Sequence, residues 1–227
     1  MRILIGSDYH CQAKLQVEAL DLLPGVDAYI NCGDFCSLAG AKHPDPHLGY
    51  HPKGQREVEQ LQSFLQEVDE RGKPWLFIPG NHDPLEIALA PLAGRHGYMG
   101  TRSESLMWQG LHLLIVPWTP PCGWNWSLTR THLQELLEQW QGIPPVDLLI
   151  SHAPPLGMLD ENSRWYGRKT PTLRPLVEQI QPRYYLCGHM HHDGGKQGQI
   201  GKTTVINAAL HNMILELPPY VASQSAH

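Results

Sequence analysis

Residues 26–36 read VDAYINCGDFC, an apolar run that ends in a carboxylate, Asp34, between two cysteines. The run VDAYIN has the length and composition of a buried β-strand. The end of the segment fits three interpretations: a cysteine-based metal site, a redox pair of thiols, or a strand end that presents one functional aspartate. The rest of the chain decides among them.

Four other apolar runs also end in residues that bind metals. Asp, His or Asn follows each of five predicted strands: Asp8 and His10; Asp34; Asn81, His82 and Asp83; His152; His189 and His191. In open α/β sheets, sites lie outside the carboxyl ends of the strands, so these side chains are expected to share one edge of the molecule. Each has an ordinary explanation by itself, such as a tight turn for GNHD. Coincidence at the ends of all five predicted strands is a poor explanation of this pattern.

The chain alternates predicted strands and amphipathic helices. Apolar residues at helical spacing predict helices over 12–23, 56–70 and 128–141, with a short helix after Pro84. Apolar runs predict strands over the following ranges: 2–7, 26–31, 74–80, 111–118, 146–151, 183–188, 203–207 and 212–217. This alternation is typical of an α/β protein whose strands are covered on both faces.

Length and composition are those of one folded domain. The chain has 227 residues, 41% of them apolar and 17% charged, with a net charge of −5 at pH 7. We therefore expect a single domain over 1–217 and a C-terminal tail over 218–227. The acidic balance disfavours nucleic acid as a partner. The first apolar run is too short for a signal segment and no later run could span a bilayer, so we expect a cytoplasmic protein without membrane contact; the oligomeric state stays open.

The candidate residues suit a metal site of mixed oxygen and nitrogen ligands. Carboxylates, an amide oxygen and neutral imidazoles are accepted by divalent Mn, Fe, Ni, Co and Zn, whereas cysteine-rich sets favour structural zinc. The set exceeds what one ion needs, so two ions are expected, with Asp34 as their natural bridge. The five cysteines are odd in number and lack CxxC spacing, which indicates reduced thiols. In the opening segment Asp34 is therefore interpreted as the functional residue, and Cys32 and Cys36 as packing residues.

Five short blocks, in the order DYH, GDFC, GNHD, SHAPP and GHMH, resemble the signature blocks of the calcineurin-like metallophosphoesterases. The resemblance covers positions 8 to 191. It implies an α/β fold in the form of a four-layer αββα sandwich, with two mixed β-sheets flanked by helices. It also implies two sets of metal ligands: Asp8, His10, Asp34 and His191 for one ion, and Asp34, Asn81, His152 and His189 for the other.

The same resemblance implies hydrolysis of a phosphoester by water that two divalent ions activate, with Mn favoured among Mn, Fe, Ni, Co and Zn. It places His82 near the leaving group and makes Asp83 the expected orienting partner of His82. The sequence around SHAPPLGMLD is similar to the metallophosphoesterase-domain branch, which is associated with phosphodiesterase activity. The expected substrate is therefore a small-molecule phosphodiester, nucleotides included, with phosphomonoesters as a further class. A nuclease and a non-catalytic scaffold on the same fold are the alternatives.

Loops that follow the ligand-bearing strands are expected to surround the mouth of the site. Their tryptophans Trp124, Trp126 and Trp165 either stack on an aromatic group of the substrate or pack the loops onto the core, and both interpretations stay open. The proline-rich loop after Asp34 contains three histidines that belong to no signature block: His43, His47 and His51. They are expected to decorate this loop rather than to form a third metal site.

Overall fold

The computed structural model describes residues 1–41, 47, 49–122, 124–160 and 170–218. His43, Trp165 and almost all of the predicted tail lie outside the described residues. The strands are β1 (Arg2–Ser7), β2 (Ala28–Asn31), β3 (Trp75–Phe77), β4 (Gly97–Met99), β5 (Glu104–Trp108), β6 (Leu111–Val116), β7 (Leu148–Ser151), β8 (Tyr184–Cys187), β9 (Gln197–Ile200), β10 (Thr203–Asn207) and β11 (His211–Glu216). The helices are α1 (Ala13–Leu22), α2 (Gln55–Glu70), α3 (Glu86–Leu89), α4 (Arg130–Gln139) and α5 (Arg174–Ile180).

The strands form two mixed sheets. In the first sheet the order is β11-β1-β2-β3-β4, with β11 antiparallel to β1 and the other neighbours parallel. In the second sheet the order is β5-β6-β7-β8-β10-β9, with antiparallel strands β5 and β9 at the edges. Helices connect most of the parallel neighbours, whereas the connection from β8 to its parallel neighbour β10 runs through β9.

A shared apolar layer holds the two sheets face to face. Successive residues of a strand point to opposite faces, so Ile3 and Ile5 of β1 enter this layer while Leu4 points outward. The second sheet contributes Ile115 and Ile150, which are completely buried. Because both faces of each sheet are covered, the central strands are largely apolar and almost entirely buried.

Helices cover the outer faces of the sandwich. On the first sheet, Leu61 and Phe64 of α2 pack in one cluster with residues of α1 and with Tyr29. On the second sheet, Leu136 of α4 and Val177 of α5 pack against Tyr185 and its neighbours. The layers are therefore helix, sheet, sheet, helix, and the expected αββα sandwich of two mixed sheets is confirmed.

Four elements have no counterpart among the sequence predictions: β4, β5, β9 and α5. The edge strands β5 and β9 are partly exposed, so their sequences ESLMW and QGQI lack the continuous apolar run of a central strand. The strand β4 has only three residues and α5 only seven. Short elements of this kind give little periodicity, and tertiary pairing decides them.

Two details refine the expected helix ends and the cysteine chemistry. Thr129 caps α4 in a capping box with His132. All five cysteines are unpaired.

Among the described residues, no helix is both long enough and apolar enough to cross a bilayer.

Candidate metal centre

Two groups of ligand side chains lie where the strands end. Asp8, His10 and His191 form the first group, and Asp34, His152 and His189 form the second. Within each group, one ligand atom of each residue lies within 4.8 Å of the others. These residues follow β1 and β2 of the first sheet and β7 and β8 of the second, so the centre depends on the packing of both sheets.

In the first group, the two oxygens of the buried Asp8 carboxylate have different partners. Oδ2 accepts hydrogen bonds from the Ser7 hydroxyl at 2.6 Å and from the backbone N–H of His189 at 2.8 Å. Oδ1 lies 3.0 Å from Nε2 of His191. The protein therefore fixes one oxygen through its own donors and directs the other into the site.

The imidazole of His10 is oriented in the same way. Its Nδ1 lies 3.0 Å from the carbonyl oxygen of Cys36, which can only accept, so Nδ1 carries the proton of the neutral ring. Its Nε2 then has a lone pair, and this atom lies 3.1 Å from Nε2 of His191. Ring nitrogens at this separation, beside the carboxylate of Asp8, need a proton or another cation between them.

In the second group, two acceptor atoms face each other inside the protein. The fully buried His152 donates from Nδ1 to the carbonyl of Cys32 at 2.7 Å, so Nε2 is the acceptor of the neutral ring. Nε2 lies 3.1 Å from Oδ2 of Asp34. This Nε2 and Oδ1 of Asn81 are buried without a hydrogen-bond partner among the described residues. Buried acceptors left without partners are rare in proteins and costly, so the site fits bound cations.

The electrostatics of these side chains agree with this donor set. Burial disfavours the charged form of His152, but the negative charges of Asp34 and Asp8 outweigh burial and raise its pKa to about 9. Burial opposes the ionisation of Asp34, yet the charge of His152 holds its pKa well below the usual range. Burial and the charge of His152 lower the pKa of His189 to about 4. Ionised carboxylates and a neutral His189 are the forms that bind metals, while His152 carries the proton that a metal would replace.

The structure gives Asp83 a different role from the expected one. Its buried carboxylate accepts hydrogen bonds from the backbone N–H groups of Asp34 at 2.7 Å, Gly80 at 2.8 Å and Cys36 at 2.9 Å. Burial and the charge of Asp34 raise the pKa of Asp83 to about 7 in the metal-free chain. Asp83 therefore holds the turn that carries Asp34, and the expectation that it orients the ring of His82 is corrected.

A backbone carbonyl orients His82 instead. Nδ1 of His82 lies 2.6 Å from the carbonyl oxygen of Ser37, so the ring donates from Nδ1 and presents Nε2 elsewhere. Glu57, in the first turn of α2, accepts from the N–H groups of residues 37, 38 and 39 at 2.9, 2.6 and 3.1 Å. Sequence reasoning missed Glu57 and these carbonyl partners, because a backbone carbonyl gives no signal in the residue types.

Two glycines let the turns approach the carboxylates closely. A Cβ at Gly188 would overlap the carboxylate of Asp8 and the hydroxyl of Ser7, and a Cβ at Gly80 would overlap the carboxylate of Asp34. The ligands themselves are strained: Asp8, Asp34 and His189 have φ values of 56°, 54° and 66°. Positive φ is uncommon for side chains other than glycine and is concentrated at functional sites.

A cavity of about 260 Å³ opens beside the two groups. It is lined by Asn81, His82, Cys122, Trp124, His189 and Met190. Trp126, in contrast, is only 6% exposed and donates its indole N–H to the carbonyl of Pro84, so it packs the loop onto the protein. Of the histidines expected to decorate the proline-rich loop, His51 accepts from the N–H of Lys53 in a turn of 3-10 helix.

Comparison with known proteins agrees with this arrangement. A model of the calcineurin-like phosphoesterase family matches residues 1–193. The chain is 37% identical over 211 residues to metallophosphoesterase domain-containing protein 1 of Homo sapiens and of Mus musculus, over 83% of this chain and 61% of those proteins. It is 29% identical over 232 residues to UPF0046 protein C25E10.12 of Caenorhabditis elegans, over 92% of this chain and 75% of that protein.

A structural comparison shows the same fold at low identity. The crystal structure of TT1561 of Thermus thermophilus superposes with a TM-score of 0.57 at 15% identity, over 92% of this chain and 88% of that chain. A likeness at this identity concerns the fold alone. The chain spans about three fifths of the mammalian proteins, 61% of their length.

Metal binding is expected to release protons. Because the pKa of His152 is raised to about 9, its imidazole is charged at pH 7 and must lose a proton to become a ligand. The apparent affinity for Mn²⁺ should therefore rise between pH 6 and pH 9, by up to about tenfold per pH unit for each displaced proton. Calorimetric titration in two buffers of different ionisation enthalpy counts the protons, and an affinity constant over this range would contradict the expectation.

The close approach at Gly188 predicts a specific loss of metal. In Gly188→Ala, the added methyl group displaces Asp8, and the affinity of the first group should fall roughly 10- to 100-fold, as when a supporting residue of a metal site is changed. The matched control is Gly25→Ala, because a Cβ there meets no atom closer than 3.9 Å. Metal content per chain measures the effect, and equal content in the two variants would show that Asp8 does not need this glycine.

Proposed function

This chain belongs to the calcineurin-like phosphoesterase family, and from that premise we propose that it is a phosphodiesterase that works with two divalent metal ions. The observation that carries the proposal is the pair of ligand groups at the strand ends, beside which Nε2 of His152 and Oδ1 of Asn81 are buried without a hydrogen-bond partner among the described residues. In the proposed site Asp8, His10 and His191 would hold one ion, Asn81, His152 and His189 would hold the other, and Asp34 would be available to both. When bound, the ions, with Mn the first candidate, supply Lewis acidity that activates water and polarises the phosphoryl group.

Asp34 is suited to the shared position because the protein fixes its turn. Its backbone N–H donates to Asp83, and its Oδ1 accepts from the backbone N–H of His82 at 2.7 Å. Its Oδ2 faces Nε2 of His152. The carboxylate is thus held in place before any ligand binds, which reduces the reorganisation that the reaction requires.

His82 is the proposed general acid. The ring donates a hydrogen bond from Nδ1–H to the Ser37 carbonyl, so Nε2 is the atom that would donate a proton to the departing alkoxide. The His82 ring lies beside the first ligand group, with its centroid 5.1 Å from that of His10. The acid therefore stands next to the proposed metal centre.

The cavity supports a small diester as the substrate. Its lining among the described residues contains no Lys or Arg, so beyond the proposed metal ions and His82 no cationic side chain among them would pair with the second negative charge of a phosphomonoester. A diester carries one charge and two organic groups, which suits a small and largely uncharged cavity. The net charge of −5 also makes a nucleic acid an unfavourable partner.

The proposed activity is tested with two chromogenic substrates. With Mn²⁺, kcat/KM for bis-p-nitrophenyl phosphate should exceed that for p-nitrophenyl phosphate, and a chelator should abolish both activities. Asp34→Asn, which removes the proposed shared carboxylate, should lose both activities even with added Mn²⁺. A preference for the monoester, or activity that survives chelation, would contradict the proposal.

His82→Ala should lower kcat by roughly 10²- to 10⁴-fold, the usual worth of a positioned general acid. The loss should be smallest for p-nitrophenolate, a good leaving group, and should grow as the leaving alcohol becomes less acidic. His96→Ala is the matched control, because His96 is exposed and directly precedes β4. It therefore lies at the amino end of a strand, whereas the candidate ligands follow the carboxyl ends. A loss of metal from His82→Ala, or an equal loss for all leaving groups, would remove His82 from this role.

A further inference from the structure

The cavity beside His82 has an aromatic wall whose role the proposed hydrolysis does not explain. We propose that Trp124 binds a flat ring carried by the departing alcohol, so that the substrates are phosphodiesters of aryl alcohols or nucleosides. This inference rests on the proposed function, because it assigns one part of the substrate to the cavity. Trp124 is then a determinant of substrate specificity.

Trp124 lies in a segment that the protein holds in place. The neighbouring Trp126 donates its indole N–H to the carbonyl of Pro84 at 3.0 Å, and Asn125 donates to the carbonyl of Asp83 at 3.4 Å. Within the segment, Thr119 donates its N–H to the carbonyl of Trp126 at 2.7 Å. The segment after β6 is thus fixed to the turn that carries His82, and the indole is positioned before a substrate arrives.

The position of the ring indicates which part of the substrate it meets. The Trp124 and His82 rings lie with centroids 4.3 Å apart at 37°. Since His82 is the proposed donor to the leaving oxygen, the atoms attached to that oxygen fall against Trp124. The departing group, rather than the retained one, therefore occupies this side of the cavity.

Trp124 is not required to orient His82. Hydrogen bonds to the Ser37 carbonyl through Nδ1 and to Asp34 through the backbone N–H already fix that residue. The indole is half-buried and shares the cavity wall with Cys122 and Met190. A flat apolar wall with two sulfur atoms suits an aromatic ring, through stacking and sulfur–aromatic contacts.

The experiment compares pairs of similar ligands, one of which carries an aromatic ring and one of which does not. Dissociation constants from the Mn²⁺-loaded protein are measured by calorimetry for benzylphosphonate against ethylphosphonate, and for adenosine 5′-monophosphate against ribose 5-phosphate. The wild-type chain should bind the ring-bearing member of at least one pair about tenfold more tightly. Tighter binding of the ring-bearing member in the first pair indicates an aryl group, and tighter binding in the second pair indicates a nucleoside. The pair that shows the preference therefore identifies the source of the ring.

The variants separate stacking from support of the site. Trp124→Ala should abolish the ring preference, Trp124→Phe should retain most of it, and Trp124→Leu, which is apolar but not flat, should retain little. Met107→Ala, an exposed position on the edge strand β5, is the control that should keep the preference. If Trp124→Ala does not fold, the comparison of Phe with Leu makes the same test.

Several outcomes would overturn the inference. They are a wild-type chain with no ring preference, a preference that survives in Trp124→Ala or Trp124→Leu, and an equal loss of affinity for all four ligands. Binding with a ring preference but without turnover of any diester would remove the proposed hydrolysis and leave the ring site intact. A wild-type chain that binds none of the four ligands would overturn the ring site alone, and turnover of the chromogenic diester would decide the proposed hydrolysis separately.

Discussion

The central constraint on this structure is that lone pairs of the candidate ligands converge at one place, where two buried acceptors, Nε2 of His152 and Oδ1 of Asn81, lack a hydrogen-bond partner among the described residues. Oδ2 of Asp34 faces Nε2 of His152 at 3.1 Å, and Nε2 of His10 faces Nε2 of His191 at the same separation. A proton on His152, whose pKa the charges of Asp34 and Asp8 raise to about 9, offsets part of this cost. We expect cations bound at these lone pairs to stabilise the native state, since a ligand that binds only the folded chain shifts the folding equilibrium toward it.

The rest of the centre is arranged to keep those lone pairs in place. Backbone carbonyls of Cys32, Cys36 and Ser37 accept hydrogen bonds from the Nδ1–H groups of three imidazoles, which fixes the tautomer and leaves each Nε2 available. Two buried or partly buried carboxylates, Asp83 and Glu57, collect backbone N–H groups from the turns around Asp34. These supporting contacts carry no chemistry themselves, yet they determine where the reactive atoms lie.

The sandwich explains how loops so far apart in the chain can meet. Asp8 and His152 are separated by 144 positions, but each directly follows a strand, one in each sheet. The shared apolar layer brings the two sheets face to face, so that the ends of β1 and β7 deliver their residues to one site. Packing of apolar side chains, which is not directional, thereby positions a polar site that requires accuracy within a fraction of an ångström.

By itself, the sequence determined the class of fold, the central strands and the candidate ligands, because a strand buried on both faces is an apolar run and its end is marked by Asp, Asn or His. It did not determine the edge strands β5 and β9, whose partly exposed residues give no periodic signal. Nor did it separate Trp124 from Trp126, which are two residues apart in one loop but differ in burial and in contacts. The tertiary structure also reassigned Asp83 from the His82 ring to the Asp34 turn, since the partner of a buried carboxylate depends on which backbone N–H groups folding brings within 3 Å of it.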